Sequence, residues 1–367
     1  MKNRITTAAL AASLAVSLAA PVGAQPARSQ PQPATYAVIG DWPYSNLLRA
    51  SAGSLIDSIN ADPQVELVLH IGDIRSGSMP CTGAGLDPVP ASADPGWNEG
   101  IFRLFEQFAK PFVFTPGDND WTDCHKKKQA SSGAPMKELA AVRKLFYPTP
   151  GTTLGMQKKA VQTQARDFDR GHPADAQFVE NVVWQQSGVV FVTVNMPGSN
   201  NDGLPWSAPF TDEPARMREA AERTGAGLRW LQAAFARAAK DNAKAVLIGT
   251  QADMWDPEAA ASDGDGLGGY TFFVHELAEM TLRFKRPVLL INGDSHVYGS
   301  DRPLADPSSV NGRIHGTPAV PNLTRITVQG ATNAPAQWLR LKIDPASPEV
   351  FSWENVVYCK DPKTRCP

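Results

Sequence analysis

The strongest restriction on the fold of this chain is a recurrence, because four apolar runs end in Gly-Asp. The runs are AVIGD, VLHIGD, FVFTPGD and LLINGD, and their carboxylates belong to Asp41, Asp73, Asp118 and Asp294. Each run has the composition of a buried strand, and its Gly allows the chain to leave that strand sharply. In an open parallel sheet, the carboxyl ends of the strands line one crevice in which ligands bind. Four carboxylates there would repel one another unless cations lay between them, so the recurrence predicts a metal site.

The segments around these runs indicate an α/β protein with a mainly parallel sheet. Helical patterns follow the first three runs, and strands and helical patterns alternate again after residue 180. NVVWQQ and GVVFVTVNM predict a hairpin, and a helix with Leu228, Leu231 and Phe235 on one face leads to the strand AKAVLIG. We predict that NLTRITVQG, QWLRLKID and EVFSWENV, near the C-terminus, form three antiparallel strands.

The N-terminus has the pattern of a secretory signal peptide. Lys2 and Arg4 precede an apolar run rich in Ala and Ser, and small residues suit cleavage after Ala24. An N-terminal membrane anchor is the alternative, but the run is short, and no later stretch is apolar enough to span a bilayer. We therefore predict a signal peptide at residues 1–24, a disordered Pro/Gln-rich lead-in at 25–35, and export to the periplasm or the extracellular space.

Length and composition bound the organisation of the rest. The chain has 367 residues, 42% of them hydrophobic and 20% charged, which suits one large globular domain or two small ones, and we expect the single domain. We predict this domain at residues 36–356, with the aperiodic segment 150–180 as an insertion or cap, and a tail at 357–367. The formal net charge of −2 argues against nucleic-acid and anionic-membrane partners, which need a basic surface.

Four cysteines in an exported chain suggest two disulfides. Cys81 and Cys124 each follow a Gly-Asp turn closely, so if those turns adjoin, Cys81–Cys124 is the natural bridge. Cys359 and Cys366 would then tie the tail. A zinc site is less favoured, because the sequence has no Cys-x-x-Cys pair.

Five motifs, GDWP, GDIRSG, PGDND, IGTQAD and NGDSHVY, occur in this order along the chain. Their order resembles that of the calcineurin-like metallophosphoesterases, whose pattern is D-x-H, G-D-x-x-D, G-N-H-D/E, a lone His and G-H-x-H. The likeness runs from about Tyr36 to Trp353, and GDNDWTDC, GSNN and GDSH resemble a divergent bacterial branch. The resemblance implies a four-layer α/β/β/α sandwich of two mixed sheets with a two-metal site that hydrolyses phosphate esters.

The resemblance also implies a ligand set. The residues at the family's metal-ligand positions are Asp41, Asp73, Asp118, Gln251, Asp294 and His296. Asp73 matches the ligand that bridges both ions, whereas Gln251 stands where the family has its lone His. The set is rich in oxygen if the Gln251 carbonyl is included, so we expect one or two divalent cations, with Mg²⁺, Mn²⁺ or Ca²⁺ favoured over Zn²⁺.

Two departures from the family pattern bear on catalysis. Pro43 replaces the His of the first motif, and Asn119 replaces the His that acts beside the leaving group. Because an amide supplies no proton at neutral pH, general acid catalysis at that position is lost or moved. We expect a metal-activated hydroxide to attack a small phosphomonoester or phosphodiester, with Asn119 orienting the phosphoryl oxygen and Asp120 holding Asn119 or a water. The alternative is a non-catalytic protein of this fold that binds a divalent cation or ligand.

Several other side chains are candidates for substrate binding. Trp42 and Tyr44 flank the first Gly-Asp turn and could form an aromatic wall, although loop packing explains them equally well. His125 could swing into the crevice in place of the missing acid, or it could be a loop histidine. Asn200 could bind substrate or turn the chain. We expect His70, inside a strand, to be a hydrogen-bonded structural histidine.

Overall fold

The structure is a computed structural model that describes residues 1, 31–256, 258, 266–364 and 366. The predicted signal peptide beyond Met1, and the predicted lead-in up to residue 30, lie outside the described residues. The first strand begins at Ala34, and both Ala34 and Thr35 are buried. The first strand therefore starts two residues before Tyr36, because Ala34 and Thr35 already pair with Ile343 and Lys342 near the C-terminus.

One sheet carries the first three Gly-Asp turns. Its strands are β1 (Ala34–Ile39), β2 (Val65–His70), β3 (Phe112–Phe114), β11 (Ala336–Ile343) and β12 (Phe351–Cys359). The order is β12-β11-β1-β2-β3. The strands β1, β2 and β3 are parallel, while β11 and β12 add an antiparallel pair beside β1.

The second sheet carries the fourth Gly-Asp turn. Its strands are β4 (Gln162–Thr163), β5 (Val182–Gln186), β6 (Val189–Thr193), β7 (Ala245–Gly249), β8 (Val288–Asn292), β9 (Gly299–Asp301) and β10 (Leu323–Thr327). The order is β4-β5-β6-β7-β8-β10-β9, with β6, β7, β8 and β10 parallel. The predicted hairpin is present as β5 and β6.

The prediction of three antiparallel C-terminal strands was wrong for the first of them. The strand β10 pairs in parallel with β8 in the second sheet, whereas β11 and β12 form an antiparallel pair in the first. An alternating pattern shows that a strand has two unlike faces but does not specify its partner. The chain between β10 and β11 crosses from one sheet to the other, and the sequence pattern gives no indication of that crossing.

Helices cover the outer face of each sheet. Their bounds are α1 (Asn46–Ala50), α2 (Ala52–Asn60), α3 (Trp97–Phe105), α4 (Pro135–Phe146), α5 (Gln164–Asp167), α6 (Glu213–Lys240), α7 (Thr271–Phe284) and α8 (Val310–His315). Short 3₁₀ turns occupy Asp118–Asp120, Thr122–His125, Lys127–Gln129, Pro173–Gln177 and Gly268–Tyr270.

Alternation along the strands divides the core into layers. Val38 and Leu69 face inward and pack with Leu247 and Ile291 of the other sheet. Their strand neighbours point outward, so that Ala37, Ile39 and Val68 pack with residues of α2, α3 and α4. On the far side, residues of β6 and β7 pack against α6 and α7, including the predicted face of Leu228, Leu231 and Phe235. This arrangement confirms the predicted four-layer α/β/β/α sandwich of two mixed sheets.

Segment 150–180 and the cysteines complete the framework. The segment supplies β4, the edge strand of the second sheet, and none of the described residues that line the cleft at the Gly-Asp turns comes from it. The two predicted disulfides are present, with Cα–Cα distances of 5.7 Å for Cys81–Cys124 and 5.4 Å for Cys359–Cys366. None of the helices in the described part of the chain has the length and apolarity needed to cross a membrane.

Candidate metal centre

The loops at the carboxyl ends of five strands converge on one small volume. Asp41, Asp73 and Asp118 follow β1, β2 and β3, while Gln251 and Asp294 follow β7 and β8. Asp41, Asp73 and Asp118 are buried, and Asp294 is partly buried. Both sheets contribute to this volume because their parallel strands end at the same edge of the sandwich. The convergence that the recurrent Gly-Asp motif predicted is therefore present.

The aspartates themselves, and not most of their glycines, adopt the unusual backbone conformation. Asp41, Asp73 and Asp294 lie in the left-handed region with φ of 51°, 60° and 73°. The glycine is required for close approach instead. A Cβ on Gly117 would lie 2.1 Å from Asp73 Oδ1, and a Cβ on Gly293 would lie 2.4 Å from Asp41 Oδ2. The Gly-Asp pair thus lets neighbouring loops touch while the strained Asp directs its carboxylate into the centre.

One half of the centre is formed by Asp41, Asp73 and His296. Each offers one ligand atom, and these atoms all lie within 4.8 Å of one another. The hydroxyl of Tyr44 lies among them, 2.8 Å from Asp41 Oδ1, 2.9 Å from Asp73 Oδ2 and 3.1 Å from His296 Nε2. Tyr44 was predicted as part of a substrate wall, but its ring is buried and its hydroxyl faces the ligand atoms.

The other half is formed by Asp73, Asp118 and Asp294. The amide nitrogen Nε2 of Gln251 lies 3.3 Å from Asp73 Oδ2, 3.1 Å from Asp118 Oδ1 and 3.1 Å from Asp294 Oδ1. The amide oxygen of Gln251 points away and accepts a hydrogen bond from the backbone N–H of Gly198. In this structure the Gln251 carbonyl, which we predicted as a metal ligand, faces away from the carboxylates, because that N–H engages the oxygen and the three carboxylates attract the NH₂ group.

Asn119 and Asp120 support Asp73 in different ways. The backbone N–H of Asn119 donates to Asp73 Oδ1 at 3.1 Å, and its side-chain amide donates to Asp73 Oδ2 at 2.7 Å. Asp120 was expected to hold Asn119 or a water. Instead, its carboxylate accepts from the backbone N–H groups of Asp73, Ile74 and Gly117 at 3.2, 2.8 and 2.8 Å. Asp120 therefore joins the loop after β2 to the loop after β3.

Burial and mutual repulsion disfavour the charged form of the carboxylates. Burial raises the pKa of Asp73 well above its ordinary value, and the charges of Asp118 and Asp120 raise it further. Burial also raises the pKa of Asp294, again with a contribution from Asp118, and raises the pKa of Asp41 against the opposing effect of His296. A bound cation would reverse this penalty, so the charges of the site fit a metal centre.

The donor set fits a divalent cation at the half that contains His296. Asp41 and Asp73 offer oxygen atoms and His296 offers a ring nitrogen. In addition, Asp41 Oδ2 is buried and has no hydrogen-bond partner among the described residues. An unpartnered buried carboxylate oxygen is costly, and coordination to a cation would satisfy it.

A cleft with a volume of about 170 Å³ opens onto the centre. Its lining includes predicted site residues, among them Asp73, Asp118, Asn119, Asn200, Asp294 and His296. It also includes Lys128, Ser199 and Asp253, which the sequence analysis did not select. Ser199 lies in the GSNN motif and Asp253 lies two residues after Gln251, so proximity to recognised motifs was the available signal.

Ser199 and Asn200 belong to an unusual left-handed turn. Ser199, Asn200, Asn201 and Asp202 have φ values of 53°, 57°, 59° and 58°, a left-handed conformation that Asn and Asp adopt more readily than other residues apart from Gly. Buried Arg223 stabilises the turn by donating to Asn201 Oδ1. At the cleft, Ser199 Oγ donates to Asp118 Oδ2 at 2.6 Å, and Asn200 Oδ1 accepts from a backbone N–H at 2.7 Å.

Two predicted contacts with the centre are not made, and one histidine is structural as predicted. Trp42 is buried in the core beside the first sheet and is not among the described residues lining the cleft. His125 Nδ1 accepts from the backbone N–H of Ser207 at 2.8 Å, and burial lowers its pKa to about 4, so it is a neutral loop histidine. His70 is structural, as expected, with Nε2 donating to Trp42 O at 2.9 Å.

A larger cavity of about 570 Å³ lies elsewhere, beside the amino ends of β8 and β10. Arg286, Arg302 and Trp353 are among its lining residues. None of the convergent carboxylates lines it, and therefore volume alone does not identify the chemical centre.

The sequence of this chain matches a known protein family. A family model described as calcineurin-like phosphoesterase matches residues 34–298. Among curated proteins, no sequence matches this chain significantly. One similar solved structure is GAP50, the anchor in the inner membrane complex of Plasmodium, with 11% sequence identity, 90% of each chain covered and a TM-score of 0.45. Because the family model spans most of the chain, this protein belongs to the calcineurin-like phosphoesterase family.

Proposed function

We propose that this protein is an exported, metal-dependent phosphoesterase acting on a small phosphomonoester or phosphodiester. The observation that carries the proposal is the cluster of Asp41, Asp73 and His296, whose ligand atoms lie within 4.8 Å of one another beside an open cleft. Family membership supports phosphate-ester chemistry, and the cleft volume of about 170 Å³ suits a phosphoryl group with a small substituent.

The cluster would hold Mg²⁺, Mn²⁺ or Ca²⁺ in preference to Zn²⁺, since oxygen atoms dominate it. When bound, the cation would supply Lewis acidity for activating water and for stabilising charge on a phosphoryl oxygen. The residues of the chain position the substrate. Asn119 uses one amide hydrogen on Asp73, which leaves the second for a phosphoryl oxygen. Lys128, at the cleft, supplies a positive charge that attracts an anionic ester.

Export is part of the proposal. Two disulfides close loops in this chain, and disulfides persist mainly in oxidising compartments such as the periplasm and the extracellular space. The N-terminal pattern of a signal peptide supports the same compartment.

A second candidate function is a non-catalytic protein that retains the fold and binds a cation or another ligand. The Tyr44 hydroxyl and the Gln251 NH₂ group, which are hydrogen-bond donors of the protein itself, lie among the carboxylates. These contacts favour the non-catalytic function. Asn119, in place of the family histidine, is a further reason to consider it.

Metal analysis combined with hydrolysis assays distinguishes the two. We expect the purified protein to contain a divalent cation and to hydrolyse generic aryl phosphate monoesters or diesters when Mg²⁺, Mn²⁺, Ca²⁺ and Zn²⁺ are compared. Asp73→Asn should lose metal and activity, whereas Asp57→Asn, an exposed carboxyl on α2, serves as the matched control. Bound cation without hydrolysis would favour the second candidate. If no metal binds, no ester is hydrolysed and Asp73→Asn matches the wild type, the enzyme proposal is wrong.

A further inference from the structure

We propose that the centre binds a single cation, at the half containing His296, and that the NH₂ group of Gln251 takes the place of a second cation. This inference rests on the proposed function only in that a cation must bind at Asp41, Asp73 and His296. The orientation of Gln251 and the hydrogen bonding of each carboxylate oxygen support the inference.

The amide nitrogen of Gln251 occupies the space between the carboxylates of the other half. It lies 3.1 to 3.3 Å from an oxygen atom of Asp73, Asp118 and Asp294. A primary amide has two hydrogens and carries a partial positive charge on them, so it satisfies acceptors that a cation would otherwise coordinate. Its nitrogen has no lone pair available for a metal, and therefore it cannot act as a ligand in this orientation.

Packing and hydrogen bonding both fix that orientation. Gln251 is fully buried, and its oxygen accepts from the backbone N–H of Gly198. Rotating the amide by half a turn would place its oxygen against three carboxylates and its NH₂ group against an N–H. The aliphatic stem is enclosed as well, because a Cβ on Gly72 would lie 2.6 Å from Gln251 Cβ and one on Gly117 would lie 2.7 Å from Gln251 Cγ.

The remaining carboxylate oxygens of this half already have donors. Asp118 Oδ2 accepts from Ser199 Oγ at 2.6 Å, and Asp294 Oδ2 accepts from the backbone N–H of Asp253 at 3.1 Å. Asp73 Oδ1 accepts from the backbone N–H of Asn119 at 3.1 Å. A cation would have to displace several of these buried hydrogen bonds at once, each with its own cost.

The half containing His296 differs in two respects. Asp41 Oδ2 is buried and has no hydrogen-bond partner in the described part of the chain. Asp41 Oδ1 accepts from the backbone N–H of Asp294 at 3.2 Å and from the Tyr44 hydroxyl, whose oxygen keeps lone pairs that can face a cation. The hydrogen-bond inventory therefore assigns the single cation to this half.

Substitution of Gln251 tests the proposal by metal stoichiometry. We expect the wild-type protein, dialysed against Mn²⁺ and measured by elemental analysis, to bind one Mn²⁺ per chain and to show the electron paramagnetic resonance spectrum of isolated Mn²⁺. The near-isosteric Gln251→Glu replaces the NH₂ group with a fourth carboxylate oxygen. It should bind two Mn²⁺ and show an exchange-coupled spectrum. Gln107→Glu adds the same charge at an exposed position and should still bind one.

Gln251→His provides a second route to the same result, because imidazole nitrogen is a metal ligand, and it is used if Gln251→Glu does not fold. Two Mn²⁺ in the wild type, or one in folded variants of Gln251, would overturn the single-cation assignment. Absence of Mn²⁺ from the wild type would instead overturn the proposed function on which the assignment rests.

Discussion

Asn119 donates its side-chain amide to Asp73 Oδ2 at 2.7 Å, and its backbone N–H reaches Asp73 Oδ1 at 3.1 Å. One residue thereby holds both oxygens of the carboxylate that belongs to each half of the centre. Asn119 replaces the histidine of the family pattern, and this geometry shows what the amide does in its place. It orients the carboxylate of Asp73, and an amide supplies no proton at neutral pH.

Replacing Asn119 should separate its support of the Asp73 carboxylate from its inability to protonate a leaving group. Asn119→Ala removes a donor from Asp73 and from the cleft, so we expect kcat/KM for an aryl phosphate to fall roughly 100-fold. Wild-type rates should depend steeply on the pKa of the leaving group, because no acid protonates it. Asn119→His should flatten that dependence across a series of aryl phosphates. An equally steep series in Asn119→His would contradict the assignment of Asn119 to the position beside the leaving group.

The contact between the loops after β2 and β3 should be sensitive to added volume. In Gly117→Ala the new Cβ would lie 2.1 Å from Asp73 Oδ1 and 2.7 Å from Asp73 N, so we expect a clear loss of thermal stability and of metal affinity. Gly53→Ala on α2 is the matched control, since a Cβ there meets nothing within 4 Å. It should raise stability by about 0.5–1 kcal/mol. Calorimetry and metal titration of both variants provide the measurement.

Asp120 should act on stability rather than directly on catalysis. Its carboxylate accepts three backbone N–H groups, and an amide at this position would turn its NH₂ against at least one of them. We expect Asp120→Asn to lower the free energy of unfolding by about 1–3 kcal/mol, measured by urea denaturation at about pH 8. A variant as stable as the wild type would show that these hydrogen bonds are not needed to hold the loops.

His70 should make stability depend on pH. Burial lowers the pKa of His70 from 6.5 to about 4, so the folded state favours the neutral ring. Its contribution is present above the unfolded pKa and is lost as pH falls, by roughly 3 kcal/mol between pH 6.5 and 4. His70→Gln should have a flatter profile over this range when unfolding is measured by urea titration. Equal slopes of unfolding free energy against pH for the wild type and His70→Gln would refute this contribution. Comparing the stabilities of the two proteins at about pH 8 isolates the packing cost of the substitution.

The two disulfides should contribute unequally. Cys81–Cys124 spans 43 residues and Cys359–Cys366 spans 7, and the longer loop restricts the unfolded chain more. Replacing each pair with Ser should cost about 4 kcal/mol for the first and about 2 kcal/mol for the second. Only the first pair joins the loops that carry Asp73 and Asp118, so only its removal should also weaken metal binding. Equal effects on binding would contradict this structural role.

Much of the architecture follows from sequence patterns. The nearly continuous apolar runs of β1 and β2 are typical of strands covered on both faces, and in the structure Val38 and Leu69 lie between the sheets while their strand neighbours pack against helices. The exception is instructive, because the pattern of β10 is the same whether it pairs with β8 or with β11. A strand pattern specifies burial, and the partner is chosen by the path of the chain.

The sequence by itself determined that four Gly-Asp turns would place carboxylates at one edge of the sandwich, since parallel strands present their carboxyl ends together. It also determined the residue type at each family position, including Gln251 and Asn119. Only the tertiary structure decided which end of the Gln251 amide faces Asp118 and Asp294. The backbone N–H that engages its oxygen belongs to Gly198, 53 residues away, and no local pattern encodes that contact.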